Sequence, residues 1–253
     1  MISIVCVWHK KDVLESVLLP SLKKQTSPYE LVLIDNTKNQ YPSVAAALNV
    51  GGKMCTKGKY LMFVHQDVDL ISPTWLADVE PMLDSLRDLG IAGVAGASLS
   101  GGVNLASHSV GWIKSGDEEG GRKIARPERV QTVDELLMII PKAVFSRVQF
   151  DEKRFDFMHL HGVDYCLAVA GMGLNTYVIP AYVHHRSKGS FVDIHKYQLR
   201  FAMKHFDKLP VFTTCGEISV RKMPNIVAHI FLPGWFIAFL RKIRDTISHH
   251  VVI

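Results

Sequence analysis

Lys59-Tyr60-Leu61-Met62-Phe63-Val64-His65-Gln66-Asp67-Val68-Asp69 is the stretch on which the fold turns. Its first part is a short, nearly unbroken apolar run and predicts a fully buried strand over Tyr60–Val64. Its second part puts two carboxylates, Asp67 and Asp69, one residue apart at the strand's carboxyl end. Carboxylates placed there need a counter-charge, and the usual one is a divalent cation, which prefers hard oxygen ligands. In open α/β sheets the ligand crevice also lies outside the carboxyl ends of the strands. Location and chemistry point to one place, a metal-assisted site for an anionic, phosphorylated ligand.

Outward from this stretch, the first 95 residues alternate strand and helix signals. Ile2–Val7 and Leu31–Ile34 read as strands, the second stopped by Asp35-Asn36-Thr37. Asp12–Lys24 reads as a helix with Val13, Val17, Leu18 and Leu22 on one stripe, kinked or shortened by Pro20. Ser43 is placed to cap a helix through Ala45–Leu48. Ser72-Pro73 supplies an N-cap and N1 proline for a helix carrying Trp75, Leu76, Val79, Met82, Leu83 and Leu86. Ile91–Ala95 is a fourth strand. Such alternation implies a parallel sheet of βαβ units.

From Gly96 to Arg129 the pattern fails: Gly101-Gly102, Gly116 and Gly120-Gly121 predict a long irregular segment, either a lid or acceptor-binding loop or plain surface disorder. Order returns at the Leu136–Ile140 strand. A helix from about Val163 to Ala170 ends at Gly171-Met172-Gly173, a C-cap signature. Thr176–Ile179 is another strand, and Ala181–Ser190 closes the core.

At 253 residues, with 48% apolar and 21% charged residues, the chain has the composition of a folded globular protein. The four cysteines are scattered without a CxxC, and Met1 leads straight into a strand without a basic n-region, so free thiols in a cytoplasmic protein are expected. Of the net charge of +5, +4 falls between Arg221 and Ile253, which suggests an acidic surface as partner. Nucleic acid is not expected. The apolar stretch Ile226–Leu240 is broken by Pro233-Gly234 and too short to span a bilayer, which needs about 20 residues. With Arg241, Lys242 and Arg244 beside it, it suits either an interfacial element on anionic lipid at the inner membrane face, or a helix packed on the core or on a second copy in a homodimer.

The order of these motifs resembles glycosyltransferase family 2, the inverting enzymes of the GT-A fold, in a branch whose strand ends in His-Gln-Asp. The resemblance runs from about Ile2 to Ser190 and rests on Ile2–Trp8, Leu33-Ile34-Asp35-Asn36, Gly58–Asp67, and Val163-Asp164-Tyr165-Cys166-Leu167…Gly173…Val183-His184-His185. It implies an α/β fold with a GT-A-like, Rossmann-related, mostly parallel sheet flanked by helices, followed by a C-terminal amphipathic helical tail. Residues 1–205 would form the glycosyltransferase domain, with 1–95 the nucleotide-binding half and 96–205 the acceptor half. Residues 206–253 would form the helical extension.

The resemblance also implies roles. Asp35 would accept from the donor's nucleobase, with a turn aspartate capping Thr37 as the other reading. Trp8, His9 and Lys10 would edge the same base and ribose. Aligned on the strand, His65 stands in place of the family's first acid, while Asp67 takes the second's and reaches a Mn2+ or Mg2+ ion. Asp69, on the same side if the chain stays extended, is a further ligand. His184 would bind metal or diphosphate unless the His184-His185 pair is structural, and Arg186, Ser187 and Lys188 would donate to phosphate oxygens. For the general base the family's acidic pair appears here as His161-Gly162. The position that normally carries the base is Gly162, so the expectation falls on Asp164, with His161 and Asp134 as alternatives.

The partners implied are a nucleoside diphosphate sugar and a saccharide or lipid-linked acceptor in cell-surface polysaccharide synthesis. A catalytically inactive GT-A-like saccharide-binding or scaffold protein is one rival. A sugar nucleotidyltransferase is another, although the loop after the first strand lacks the glycines such an enzyme uses.

Overall fold

Leu61 and Phe63 face one apolar cluster and Tyr60, Met62 and Val64 face another, so this strand is covered on both sides. That double burial is why the run has no polar alternation. The computed structural model describes residues 1–99, 108–187 and 192–231. The chain divides into two units, Met1–Ser190 with Val211–Glu217, and Phe191–Pro210 with Ile218–Ile253.

In the first unit, β1 (Ile2–Trp8), β2 (Tyr29–Asp35) and β3 (Tyr60–Val64) pair in parallel. β4 (Val68–Asp69) follows β3 after a turn in which the Val68 N–H donates to the His65 carbonyl. β5 (Leu89–Gly93), β9 (Glu128–Val130), β11 (Leu137–Pro141) and β12 (Asn175–Val178) complete the main sheet in the order β2-β1-β3-β11-β5-β12-β9. Five of its seven strands run one way; β11 and β9 are reversed. Because β11 is antiparallel to β3, its amino end lies beside the carboxyl end of β3, where the His65 N–H donates to the Leu136 carbonyl at 3.0 Å.

Helices cover the sheet. The first, α1, runs through Lys11–Val13, a π turn Leu14–Leu18 and Leu19–Lys23. Pro20 has no N–H and crowds the preceding turn, and the wide turn, with Leu19 N–H on the Leu14 carbonyl, accommodates it without ending the helix. In α2 (Val44–Met54) the Ser43 hydroxyl accepts from the Ala46 N–H at 3.0 Å, as its sequence position predicts. α3 (Trp75–Ser85) starts two residues later than expected: Thr74 is the N-cap, because the Ser72 hydroxyl is taken by Thr74 and not by the helix. After the short α4 (Lys142–Phe145) comes α5 (His161–Gly171), which ends as Gly171-Met172-Gly173 foretells. Gly173 has φ +77, and the N–H groups of Gly173 and Leu174 return to the Ala170 and Val169 carbonyls, closing the helix.

The expectation of an irregular segment over 96–129 is corrected. β6 (Gly96–Ala97), β7 (Ser109–Ser115) and β8 (Glu118–Arg122) lie there, with β7 and β8 joined as a hairpin through Gly116-Asp117. Gly116 has φ +58, which a two-residue hairpin turn requires and glycine supplies without strain. Of the glycines that obscured the periodicity, Gly121 lets the two strands approach, since a Cβ there would run into the Gly111 carbonyl of β7. These strands, with β10 (Thr132–Val133), β13 (His184–His185) and β4, form a second sheet ordered β10-β6-β7-β13-β4. Residues 100–107 of the expected lid loop lie outside the described residues. All four cysteines are free thiols.

In the second unit, α6 (Ile194–Lys204) carries Ile194, Tyr197, Phe201 and Ala202 on one buried stripe, and α7 (Met223–Phe231) follows. No helix among the described residues is long and apolar enough to cross a membrane. The remainder of the Ile226–Leu240 stretch, with Arg241, Lys242 and Arg244, lies outside the described residues.

Candidate active site

The parallel register of β1, β2 and β3 brings three strand ends to one edge of the main sheet. Trp8 is paired with Asp35, and the Asn36 N–H donates to the Trp8 carbonyl at 2.8 Å. Asp35 is exposed. Its Oδ1 accepts from the Thr37 N–H at 2.8 Å, a bond that lowers its pKa. The loop after β1 is fastened by a residue to which the sequence reading gave no role. The buried Gln66 side chain accepts from the His9 and Lys10 N–H groups at 3.0 and 3.1 Å. Gln66 thereby links the loop expected to edge the donor to the turn that carries Asp67.

Three side chains converge beyond β3. One ligand atom each from His65, Asp67 and His185 lies within 4.8 Å of the others. Asp67 Oδ1 stands 3.3 Å from His185 Nε2, and the two imidazoles are 5.5 Å apart between centroids. β13 places His185 there, opposite Val68 on β4 and beside Ser115 on β7. Burial opposes the charge on Asp67, but the hydrogen bond and positive charge of His185 hold its carboxyl well below the usual range. Burial likewise works against a charged His185, and Asp67 outweighs it, raising the imidazole. His65 is exposed, yet the surrounding protein mass and the neighbouring His185 pull its pKa down to about 4.

The two other expected metal ligands are engaged elsewhere. The His184 ring is turned to the opposite side of β13, with Nε2 2.8 Å from the Gly116 carbonyl. Alternation along a strand means that only one of two adjacent histidines can face the cleft, and it is His185. The turn at His65–Val68 breaks the extended chain that would have aligned Asp69 with Asp67. Asp69 instead accepts from the Ile71 N–H with Oδ1 at 3.0 Å and from Arg186 with Oδ2 at 2.9 Å. Arg186 stands at the same edge, its N–H on the Asp67 carbonyl. Lys188 lies outside the described residues.

Around the amino end of β11 a second group of acids assembles. Asp134 caps the Leu136 N–H at 3.0 Å and accepts from the Thr214 hydroxyl. Glu135 turns to the amino terminus of α5, where its Oε1 accepts from the Gly162 N–H at 2.7 Å. Burial pushes its carboxyl up to about 8, with the nearby Asp134 adding to the effect of burial. Asp164 sits in the first turn of α5 with 2% of its surface exposed. His161 is buried, and burial lowers its pKa to about 3.

A cleft of about 420 Å3 opens beside this group, lined by Ser115, Glu118, Glu119, Asp134 and Thr214 among others. A larger one, about 530 Å3, lies along α3 between Trp75, Met82 and Pro180, with Asp78 its one carboxylate. It lacks the convergent polar groups a reaction centre needs.

A parallel-led sheet flanked by helices, with polar groups converging outside its strand ends, is an α/β architecture whose ligand crevice lies at the carboxyl ends of the strands. The chain belongs to the glycosyltransferase-like family, whose model matches residues 4–232. A protein of Fuscovulum blasticum described as "ATP synthase subunits region ORF 6" is 25% identical over 156 residues, 59% of this chain and 60% of its own length. Among solved structures, GalNAc-T7 with UDP, GalNAc and Mn2+ superposes with TM-score 0.59 and 14% identity over 82% of this chain and 48% of that one. The mannosyltransferase PcManGT of Pyrobaculum calidifontis, in complex with GDP-Man and Mn2+, gives 0.51 and 13% over 91% and 69%. S. aureus TarS 1–349 gives 0.50 and 15% over 80% and 64%. The chain thus spans 60% of its curated relative and about half of the GalNAc-T7 chain.

Proposed function

We propose that the protein is a metal-dependent inverting glycosyltransferase that moves a sugar from a nucleoside diphosphate sugar to a saccharide or lipid-linked acceptor, working on the cytoplasmic side of the membrane in cell-surface polysaccharide synthesis. The convergence of His65, Asp67 and His185 outside β3, next to the loop fastened by Gln66, carries this reading. Trp8, His9 and Asp35 edge the nucleoside, and Arg186 provides donors for phosphate oxygens. Two imidazoles and a carboxylate suit manganese better than magnesium, which keeps to oxygen ligands. Bound there, the ion would neutralise the diphosphate as it leaves, worth several kcal/mol. His185 must lose its proton to become a ligand, so metal binding and proton release are linked. The Asp134 cleft provides room for the acceptor.

The test is thermal stabilisation by a panel of UDP and GDP sugars with and without Mn2+, on the wild type and on Asp67→Ala. Metal-dependent stabilisation confined to the wild type is expected. Stabilisation by none of the nucleotides, or equally in mutant and metal-free samples, sinks the reading.

A further inference from the structure

We infer that Glu135, at the amino terminus of α5, is the general base of the proposed transfer, occupying the space that a side chain at position 162 would otherwise fill. The inference rests on the glycosyltransferase reading above. A Cβ built on Gly162 would lie 2.8 Å from Glu135 Cγ and 2.6 Å from Met138 Sδ, closer than real Cβ contacts come. An acid at 162 and Glu135 in its present place exclude one another. The helix start therefore carries its carboxylate in space although not in sequence.

Four further observations support the assignment. Leu160, the N-cap of α5, has φ +64, a left-handed conformation costing a leucine about 1–2 kcal/mol. This strained start presents the Gly162 N–H to Glu135 Oε1 and fixes the carboxylate at the helix terminus. The buried Nδ1 of His161 makes no hydrogen bond yet stands 3.4 Å from the same Oε1. Glu135 also keeps 17% of its side chain exposed, whereas Asp164 is 2% exposed. Since Leu136 and His65 are hydrogen-bonded across β11 and β3, Glu135 stands at the same strand end as the His65–Asp67–His185 group.

In the step, the Glu135 carboxylate takes the proton of the acceptor hydroxyl and becomes a neutral carboxyl. The freed oxygen pair forms the new bond to the anomeric carbon as the bond from that carbon to the diphosphate oxygen breaks, its electrons leaving with the nucleoside diphosphate. A carboxyl held at about 8 is a stronger base than an ordinary glutamate once ionised.

The experiment uses the full chain, Mn2+ and UDP-GlcNAc, GDP-mannose and related donors, with water as acceptor and nucleoside diphosphate release as readout. Glu135→Gln keeps an oxygen for the Gly162 N–H and is expected to melt with the wild type at pH 5, to retain donor stabilisation, and to lose at least about 100-fold in release. The wild-type rate should rise with pH toward about 8, a limb absent from the variant. Release within a few-fold of wild type in Glu135→Gln, or a loss seen in Asp164→Asn but not in Glu135→Gln, overturns the assignment. So does a wild type that binds donors but never turns them over. A wild type that binds no donor at all fails earlier, overturning the glycosyltransferase reading and this step with it.

Discussion

Asp67 and Glu135 are carboxylates at the same end of the same sheet, on neighbouring strands, and the fold treats them in opposite ways. Asp67 is partnered by His185 and held ionised; Glu135 is mostly buried, and that burial holds it neutral until about pH 8. Two like groups pushed apart in this manner divide the labour of a reaction between charge stabilisation and proton transfer. Asp67 fits the side of the cleft where negative charge must be countered. Glu135 fits the side where a proton must be taken.

The largest effect is expected from Asp67→Asn, which keeps shape and removes charge. Mn2+-dependent stabilisation by any nucleotide sugar should vanish, and turnover should fall about 1,000-fold, since this is the one carboxylate in the convergent group. His185→Ala should behave similarly, while His184→Ala should lose only its bond to the Gly116 carbonyl and keep Mn2+ binding. Equal Mn2+ responses in the two histidine variants would break the assignment of the metal to one face of β13.

Glu135→Gln should reveal the cost of holding a neutral acid. Below the ordinary value of 4.5 the carboxyl is protonated in folded and unfolded chains alike and contributes nothing to the pH dependence. Between there and about 8 only the unfolded chain ionises, so stability falls by about 1.4 kcal/mol for each pH unit. Above about 8 both forms are ionised and the full penalty, on the order of 5 kcal/mol, remains. Glutamine cannot ionise. The variant's advantage in denaturant unfolding should therefore grow from near zero at pH 4.5 to its maximum near pH 8. A difference constant with pH would mean that Glu135 is not held neutral, and the contrast with Asp67 would collapse.

This contrast also marks where the sequence could be read and where it could not. The strand Tyr60–Val64, the Ser43 cap and the Gly171–Gly173 helix end were legible because each is a local pattern with a local cause. Asp67 was legible because it follows a buried strand directly. The choice of His185 over His184 was not, because the phase of a two-residue strand is set by its partners β4 and β7. Glu135 was hidden for a stronger reason. Its counterpart Gly162 lies 27 residues away, and only the antiparallel return of β11 brings the two together. The one available signal was negative: a glycine where the family resemblance called for an acid asks what fills the space. Gln66 was missed similarly, because its hydrogen bonds go to backbone groups 56 and 57 residues away.

A smaller effect is expected at Gln66. Gln66→Ala removes the acceptor of two loop N–H groups, each bond contributing about 1 kcal/mol net. The loop His9-Lys10 would lose its registration to the Asp67 turn. Donor affinity should weaken about 10-fold while Mn2+ binding without nucleotide stays unchanged, measured by calorimetry. Weakening of Mn2+ alone would show that Gln66 supports the metal side instead.

The smallest effect is expected at Asp69, and it tests the outer limit of the metal group. Asp69 and Arg186 form a half-exposed ion pair, 2.9 Å between Oδ2 and Nη2, of a kind worth at most about 1 kcal/mol. As a tether, Asp69 keeps Arg186 at the cleft edge but also competes with a phosphate for the guanidinium. Asp69→Asn should leave thermal stability within about 1 kcal/mol of the wild type. It should also change donor affinity by no more than a few-fold, because loss of the tether and release of the guanidinium act in opposite directions. A metal ligand would behave differently, since losing a coordinating carboxylate costs Mn2+ affinity directly and in the absence of any nucleotide. If Asp69→Asn weakens Mn2+ binding 10-fold or more with no donor present, the His65–Val68 turn must open when the ion binds and return Asp69 to the side of Asp67. The charged side of the site would then extend two residues further along the chain, from Asp67 to Asp69.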